Sequence, residues 1–196
     1  MDKIVELIKS CRNSSFNRTP YRVNISFHRF PDNLAVHCDY DGIFISSKKN
    51  KFVPSESIDF SEYLKKITPE FQRANNKWNK GMKVKFIENL LKGVKTEILL
   101  YRFKEEEDSQ IIDGLQRTTA IFDFFQGKIK PFGYSYKDLK DTLSNFKVNL
   151  AINIYTFSSW EEVGRFYIDM NENITHSKAD IQKAKDWFLK EKNIIL

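Results

Sequence analysis

The segment Ser109-Gln110-Ile111-Ile112-Asp113-Gly114-Leu115-Gln116-Arg117-Thr118-Thr119 constrains this chain more than any other. A short apolar strand ends at Ile112, and a helix beginning after Gly114 runs to about Gln126. The backbone must turn sharply between them, which Gly114 permits because it has no Cβ. Such a junction can also hold an anion, because the first amides of a helix point their N–H groups outward. Arg117 can grip a phosphate through two parallel hydrogen bonds. Asp113 can orient a metal ion or accept a proton from an attacking water. The same residues equally suit a structural junction, with Asp113 near the N-cap and Arg117 paired with a surface carboxylate.

Helical and strand-like segments alternate along the rest of the chain. Asp2 to Ser10 places Ile4, Val5, Leu7 and Ile8 as an amphipathic helix would. Tyr21 to Phe27 reads as a strand. Leu34 to Tyr40, the Asp41-Gly42 pair and Ile43 to Ile45 predict a β-hairpin, since Asp-Gly favours the tight primed turn. The lysine-rich stretch from Ser46 to Ser57 reads as an exposed loop. Val84, Ile87, Leu90 and Leu91 predict a helix over Lys83 to Lys92, with Gly93 as its left-handed C-cap. Strands are expected over Glu97 to Phe103, Gln110 to Ile112 and Val148 to Phe157, and a short helix over Tyr136 to Phe146. Ile121, Phe122 and Phe125 read as core rather than as a base-stacking platform. Ser158 or Ser159 with Glu161 or Glu162 predicts one capping box, and Ser177 with Asp180 a second. The expected fold is a small mixed α/β (α+β) domain. Its core spans residues 59–196, and residues 1–58 add a helix and hairpin packed on it.

Composition narrows the class. With 41% hydrophobic residues and 17 Phe, the chain can bury a proper core. The net charge of +6 suits a polyanionic partner without requiring one. Cys11 and Cys38 stand outside any paired Cys/His spacing, which argues against a disulfide framework or a zinc site. No apolar stretch reaches signal-peptide length or the ~20 residues of a membrane span, so a cytoplasmic protein without a membrane partner is expected. His28, His37 and His176 lack metal or nucleophile spacing and read as structural or exposed.

Asp113-Gly114-Leu115-Gln116-Arg117-Thr118-Thr119 resembles the Asp-Gly-Gln-Gln-Arg-Leu-Thr signature of one branch of the ParB/sulfiredoxin-like superfamily. That branch supplies the N-terminal domain of GmrSD-type modification-dependent restriction enzymes. Thr68-Pro69-Glu70-Phe71-Gln72-Arg73, then Trp78, then Lys83 through Gly93, is similar to the family's Pro-x-Phe-Gln-Arg box, tryptophan and helix ending in Leu-Leu-x-Gly. Phe166 to Asn171, followed by Thr175, resembles a third element, in which an Asn precedes a Thr that opens the last helix. The resemblance covers roughly residues 60–185 and departs at Leu115, where the signature has the first of its two glutamines.

The resemblance implies that Arg73 and Arg117 line one pocket around a nucleoside triphosphate, and that the Asp-Gly-Gln-Gln-Arg box is tied to its hydrolysis. Carried over, it sets Asp113, Gly114, Gln116, Arg117 and Thr118 at the phosphates, Gln72 and Arg73 opposite, and Asn171 at the pocket edge. Two arginines can neutralise much of a triphosphate's charge, and Gln116 can position a water. Asp113, Gln116 and Arg117 are therefore the catalytic candidates, with Mg²⁺ bridging the phosphates to Asp113. Alternatively, Arg73 pairs with Glu70 or Asp113 to hold the two boxes together. Lys77, Lys80, Lys83 and Lys85, with Trp78 among them, can follow a DNA backbone or form a solvated face. Trp78 itself can stack on a base or anchor packing.

The leading expectation is a ParB-like domain that binds and hydrolyses a nucleoside triphosphate and acts on or near DNA. A second is a metal-dependent nickase or endonuclease in which Asp113 and Glu88 hold the metal. A third is a non-enzymatic binder or inhibitor of a protein partner from a restriction or defence system. The restriction-enzyme relatives continue into a C-terminal nuclease domain with a His-Asn-His metal site, and this sequence is expected to lack that carrier of nuclease activity.

Overall fold

The computed structural model describes residues 3–6, 18–38, 60–106, 108–145, 148–172 and 176–196. Among these residues four strands, β1 (Tyr21–Ser26), β2 (Glu97–Phe103), β3 (Gln110–Asp113) and β4 (Asn149–Phe157), form one sheet in the order β1-β4-β2-β3. β2 and β4 run parallel at its centre, while β1 and β3 pair antiparallel as the edges. A strand covered on both faces loses its polar alternation. Accordingly Ile98, Leu99, Leu100 and Tyr101 of β2 are all buried.

Besides the helical residues 3–6, seven α-helices lie among the described residues: α1 (Phe30–His37), α2 (Phe60–Ile67), α3 (Lys80–Leu91), α4 (Leu115–Phe125), α5 (Tyr136–Asn145), α6 (Trp160–Asn171) and α7 (Lys178–Lys192). Ile98, Leu100, Ile152 and Ile154 face a core built with Phe30, Tyr63, Ile87, Ile121 and Phe122 from α1 to α4. Leu99, Tyr101 and Phe157 face a second core made with Phe166 and Tyr167 of α6, Phe188 of α7, and Phe71. The mixed α/β class read from the sequence is the observed one, and Ile121, Phe122 and Phe125 are core residues as expected. Among the described residues no helix is long and apolar enough to cross a membrane.

The helix ends follow local chemistry. Asn79 caps α3 by accepting from the Met82 N–H at 2.9 Å, so the helix starts earlier than its apolar periodicity suggests. It ends as predicted at Gly93, with φ +94 and two reversing backbone bonds, Gly93 N–H to Leu90 O and Val94 N–H to Asn89 O, each 3.0 Å. Ser177 and Asp180 form a complete capping box on α7. On α6 the box is split: Ser159 accepts from the Glu162 N–H, and the Glu162 carboxylate accepts from Ser158 instead. Thr175 lies outside the described residues.

The predicted hairpin is corrected by α1. Leu34 to His37 are helical, with Pro31 in the first turn, where its fixed φ suits a helix. In a strand Leu34 and Val36 would share a face, yet Leu34 is 0% exposed and Val36 69%. Phe30 and Leu34 instead meet at the four-residue helical spacing inside the core. The Asp41-Gly42 turn, Ile43 to Ile45 and the Ser46 to Ser57 loop lie outside the described residues. Of the Asp2 to Ser10 helix, residues 3–6 are described and helical. Cys38 is buried, and desolvation pushes its thiol up to about 12, so it stays protonated.

Candidate functional site

β3 ends at Asp113, and Gly114 turns the chain into α4 with φ +100. The left-handed turn demands glycine, and any Cβ here would also fall 2.8 Å from Ile98 Cδ1 and force that side chain to shift. Gly114, not Asp113, therefore stands at the N-cap, and no side chain caps α4. The amides of Leu115, Gln116 and Arg117 begin the helix with no carbonyl a turn earlier to receive them. Asp113 is engaged otherwise: its carboxylate accepts from Arg117 Nη2, one helical turn on.

The segment between α2 and α3 is sewn onto this junction by amide side chains. Buried Gln72 donates from Nε2 to Ile112 O at 2.7 Å and to Ile111 O at 3.1 Å, on the edge strand β3. Gln116 reaches the other way, accepting from the Trp78 N–H at 3.1 Å and donating to Ala74 O at 3.4 Å. Asn75 donates to Thr119 Oγ1 at 2.6 Å. Phe71, fully buried, packs on Tyr167 and Phe188, each with ring centroids 5.0 Å away. Glu70 accepts from Trp187 Nε1 at 3.1 Å.

These ties create a cavity of about 510 Å³ walled by Gln72, Arg73, Lys77, Trp78, Met82, Asp113 to Arg117, and His176. Arg73, Lys77 and Arg117 are its cations and Asp113 its carboxylate. Lys77 also meets Asp180 at 3.2 Å, and Trp78 rests on Phe86 with ring centroids 5.3 Å apart. Two boxes distant in sequence, Gln72-Arg73 and Asp113 to Arg117, thus share one wall.

His176 is the residue that spacing did not reveal. Its Nε2 lies 3.1 Å from the Tyr167 hydroxyl, which also accepts from the Arg73 backbone N–H. The two side chains share one hydrogen bond, and the histidine tautomer sets which of them donates. Burial, then the charges of Arg73 and Lys77, lower the His176 pKa to about 4 against the pull of Asp180 and Asp113. The ring is neutral at pH 7. Burial likewise raises the Tyr167 pKa above the usual phenol range. The signal available in the sequence was the position of His176 just after the third family element.

Other candidates stand elsewhere. Thr118 is fully buried under the junction, its N–H bonded to Gly114 O at 2.8 Å. Asn171 is buried and donates to Tyr167 O at 2.8 Å, within its own helix. The lysine run does not make one face. Lys83 turns inward to Asp123 at 2.7 Å, Lys85 lies 3.8 Å from Glu88, and Lys80 is exposed. Lys80 and Lys85 are five helical positions apart and project in different directions. Glu88 accepts from the Phe132 N–H at 3.2 Å and does not line the cavity with Asp113, which corrects their pairing as joint metal ligands. Among the described residues no group of three or more His, Cys, Asp or Glu side chains is placed to hold a metal.

The family described as GmrSD restriction endonuclease, N-terminal domain, matches residues 55–195, which include both boxes and the whole cavity wall. Neither a curated protein nor a solved structure matches the chain.

Proposed function

Because the chain belongs to the family of GmrSD restriction endonuclease N-terminal domains, we propose that its cavity binds and hydrolyses a nucleoside triphosphate and that the domain acts on or near DNA. The observation that carries this reading is the convergence of Arg73, Lys77 and Arg117 on a helix N-terminus that lacks a side-chain cap. Cations and outward amides together suit a polyphosphate. The likeness of the two boxes to ParB-like nucleotide pockets supports the same ligand.

Arg117 would exchange its carboxylate partner for phosphate oxygens, which leaves Asp113 able to accept a proton from the attacking water. Mg²⁺ suits this donor set, since it is commonly bound through one or two carboxylates with phosphates and waters completing its shell. Asp113 would hold it, and the ion would neutralise phosphate charge. Gln116 and Gln72 act as positioning residues, because their amides are committed to the backbone of the neighbouring segment.

Phosphate release from a panel of nucleoside triphosphates, with wild type and Asp113→Asn side by side, tests the proposal. Turnover by wild type that collapses in Asp113→Asn while binding persists is the expected result. Binding without turnover in wild type would remove hydrolysis and leave a nucleotide sensor.

A further inference from the structure

The connection between α4 and α5 carries features that the cavity does not use. Ile129, Pro131 and Tyr136 turn inward, and Tyr136 stacks on Phe125 with ring centroids 4.3 Å apart. Between them Phe132 is 48% exposed and Tyr134 56%. Phe132 adopts φ +53, a left-handed conformation that a bulky side chain holds only under constraint. The constraint is visible: its N–H is bonded to Glu88 Oε1, and the N–H groups of Gly133 and Tyr134 are bonded to the carbonyls of Lys130 and Pro131. An aromatic ring is thereby held out in solvent at the expense of backbone strain.

The surroundings are cationic. Lys92 Nζ lies 5.4 Å from the centroid of the Phe132 ring. Lys128, Lys130 and Lys137 are exposed, and no acidic residue occurs between Lys128 and Lys137. The next acid, Asp138, accepts from the Ser135 hydroxyl and N–H and also lies within electrostatic reach of Lys130 and Lys137. Water disfavours exposed rings, and neighbouring lysines repel one another. A strand of unpaired bases relieves both, because it offers flat π-faces on an anionic backbone, whereas a duplex hides those faces in its stack. Lys128 also lines a second cavity, with Lys65, Glu70 and Asp123, that shares Gln72, Arg73 and Leu115 with the nucleotide cavity.

We propose that Phe132 and Tyr134, with Lys92, Lys128, Lys130 and Lys137, form a binding surface for single-stranded DNA. The rings stack on unpaired bases and the lysines track the phosphates. The surface is independent of the nucleotide cavity, and only the choice of DNA over RNA rests on the function proposed above.

Fluorescence anisotropy with a labelled oligothymidylate, its duplex and the matching oligoribonucleotide, without nucleotide present, tests it. Wild type should bind the single-stranded DNA most tightly. Phe132→Ala with Tyr134→Ala should weaken that binding roughly five- to a hundredfold for each base that loses its ring. Replacing Lys128, Lys130 and Lys137 with Gln should flatten the salt dependence by about 0.7 in slope per lost phosphate contact. Phe132→Gly should raise the melting temperature, by removing the left-handed strain, while lowering DNA affinity. Phe132→Trp should retain it. Triphosphate affinity should be the same in all of these variants, which separates this surface from the cavity. Unchanged DNA affinity in the double alanine variant, tighter binding of duplex, or preference for the oligoribonucleotide would overturn the proposal.

Discussion

Arg117 reaches back one helical turn to the carboxylate of Asp113, across the left-handed Gly114 that separates strand from helix. The junction thus keeps its own counter-charge, and an incoming phosphate competes with an acid already in place. That competition makes Asp113 a brake on binding as well as the proposed proton acceptor. Without magnesium, Asp113→Asn should therefore bind triphosphate at least as tightly as wild type, and with magnesium it should lose turnover. Both partners are partly exposed, so the stability change should stay within about 0.2–1 kcal/mol in a urea titration. Full turnover in this variant would make the junction purely structural.

Gly114→Ala should destabilise the fold by at least about 1–3 kcal/mol, because the new side chain is strained at φ +100 and collides with Ile98. Ile98→Val removes the colliding methyl. The double variant should recover the steric part of the loss in thermal melts and retain the conformational part. Additive losses would show that the contact with Ile98 is irrelevant.

Gln72→Ala should cost about 1–3 kcal/mol by leaving the carbonyls of Ile111 and Ile112 without their donor. Gln72→Glu should be no better, since an ionised carboxylate cannot donate. Limited proteolysis should show faster cleavage between residues 68 and 79 in both. If Glu restored wild-type stability, the donated hydrogen bonds would not be what holds the segment down.

His176 links pH to stability. Its folded pKa, about 4, lies below the ordinary value of 6.5, so the unfolded chain takes up the proton first as pH falls. The contribution of the neutral ring is complete above pH 6.5 and is lost as pH drops from there toward 4. His176→Asn should flatten the stability profile across that window relative to wild type. An identical slope in both proteins would show that the ring is not held neutral.

The junction was legible because its causes are local: two isoleucines, a carboxylate, a glycine and a helix follow one another within a few residues. The work of Gln72 and Gln116 was not, because their partners lie on segments that meet only in the folded protein. Lys83 illustrates the same gap, looking like part of a basic run until Asp123 of α4 stands beside it. The stretch from Leu34 read as the first arm of a hairpin, but through His37 it is α1, since burial of Phe30 and Leu34 on one helical face outweighs its β-forming residues. His176 acquires its role from Tyr167 across the end of α6, with no spacing pattern of its own.

A nucleoside triphosphate in the Arg73–Arg117 cavity is what the proposed function depends on. Isothermal titration of the common triphosphates, with magnesium, into wild type and Arg117→Ala tests it most directly. Wild type should bind at least one triphosphate saturably. In the folded variant affinity should fall about ten- to a hundredfold, the worth of a charge-assisted contact of roughly 1.5–3 kcal/mol. Equal affinity in the two proteins, or no binding of any triphosphate by wild type, would contradict it.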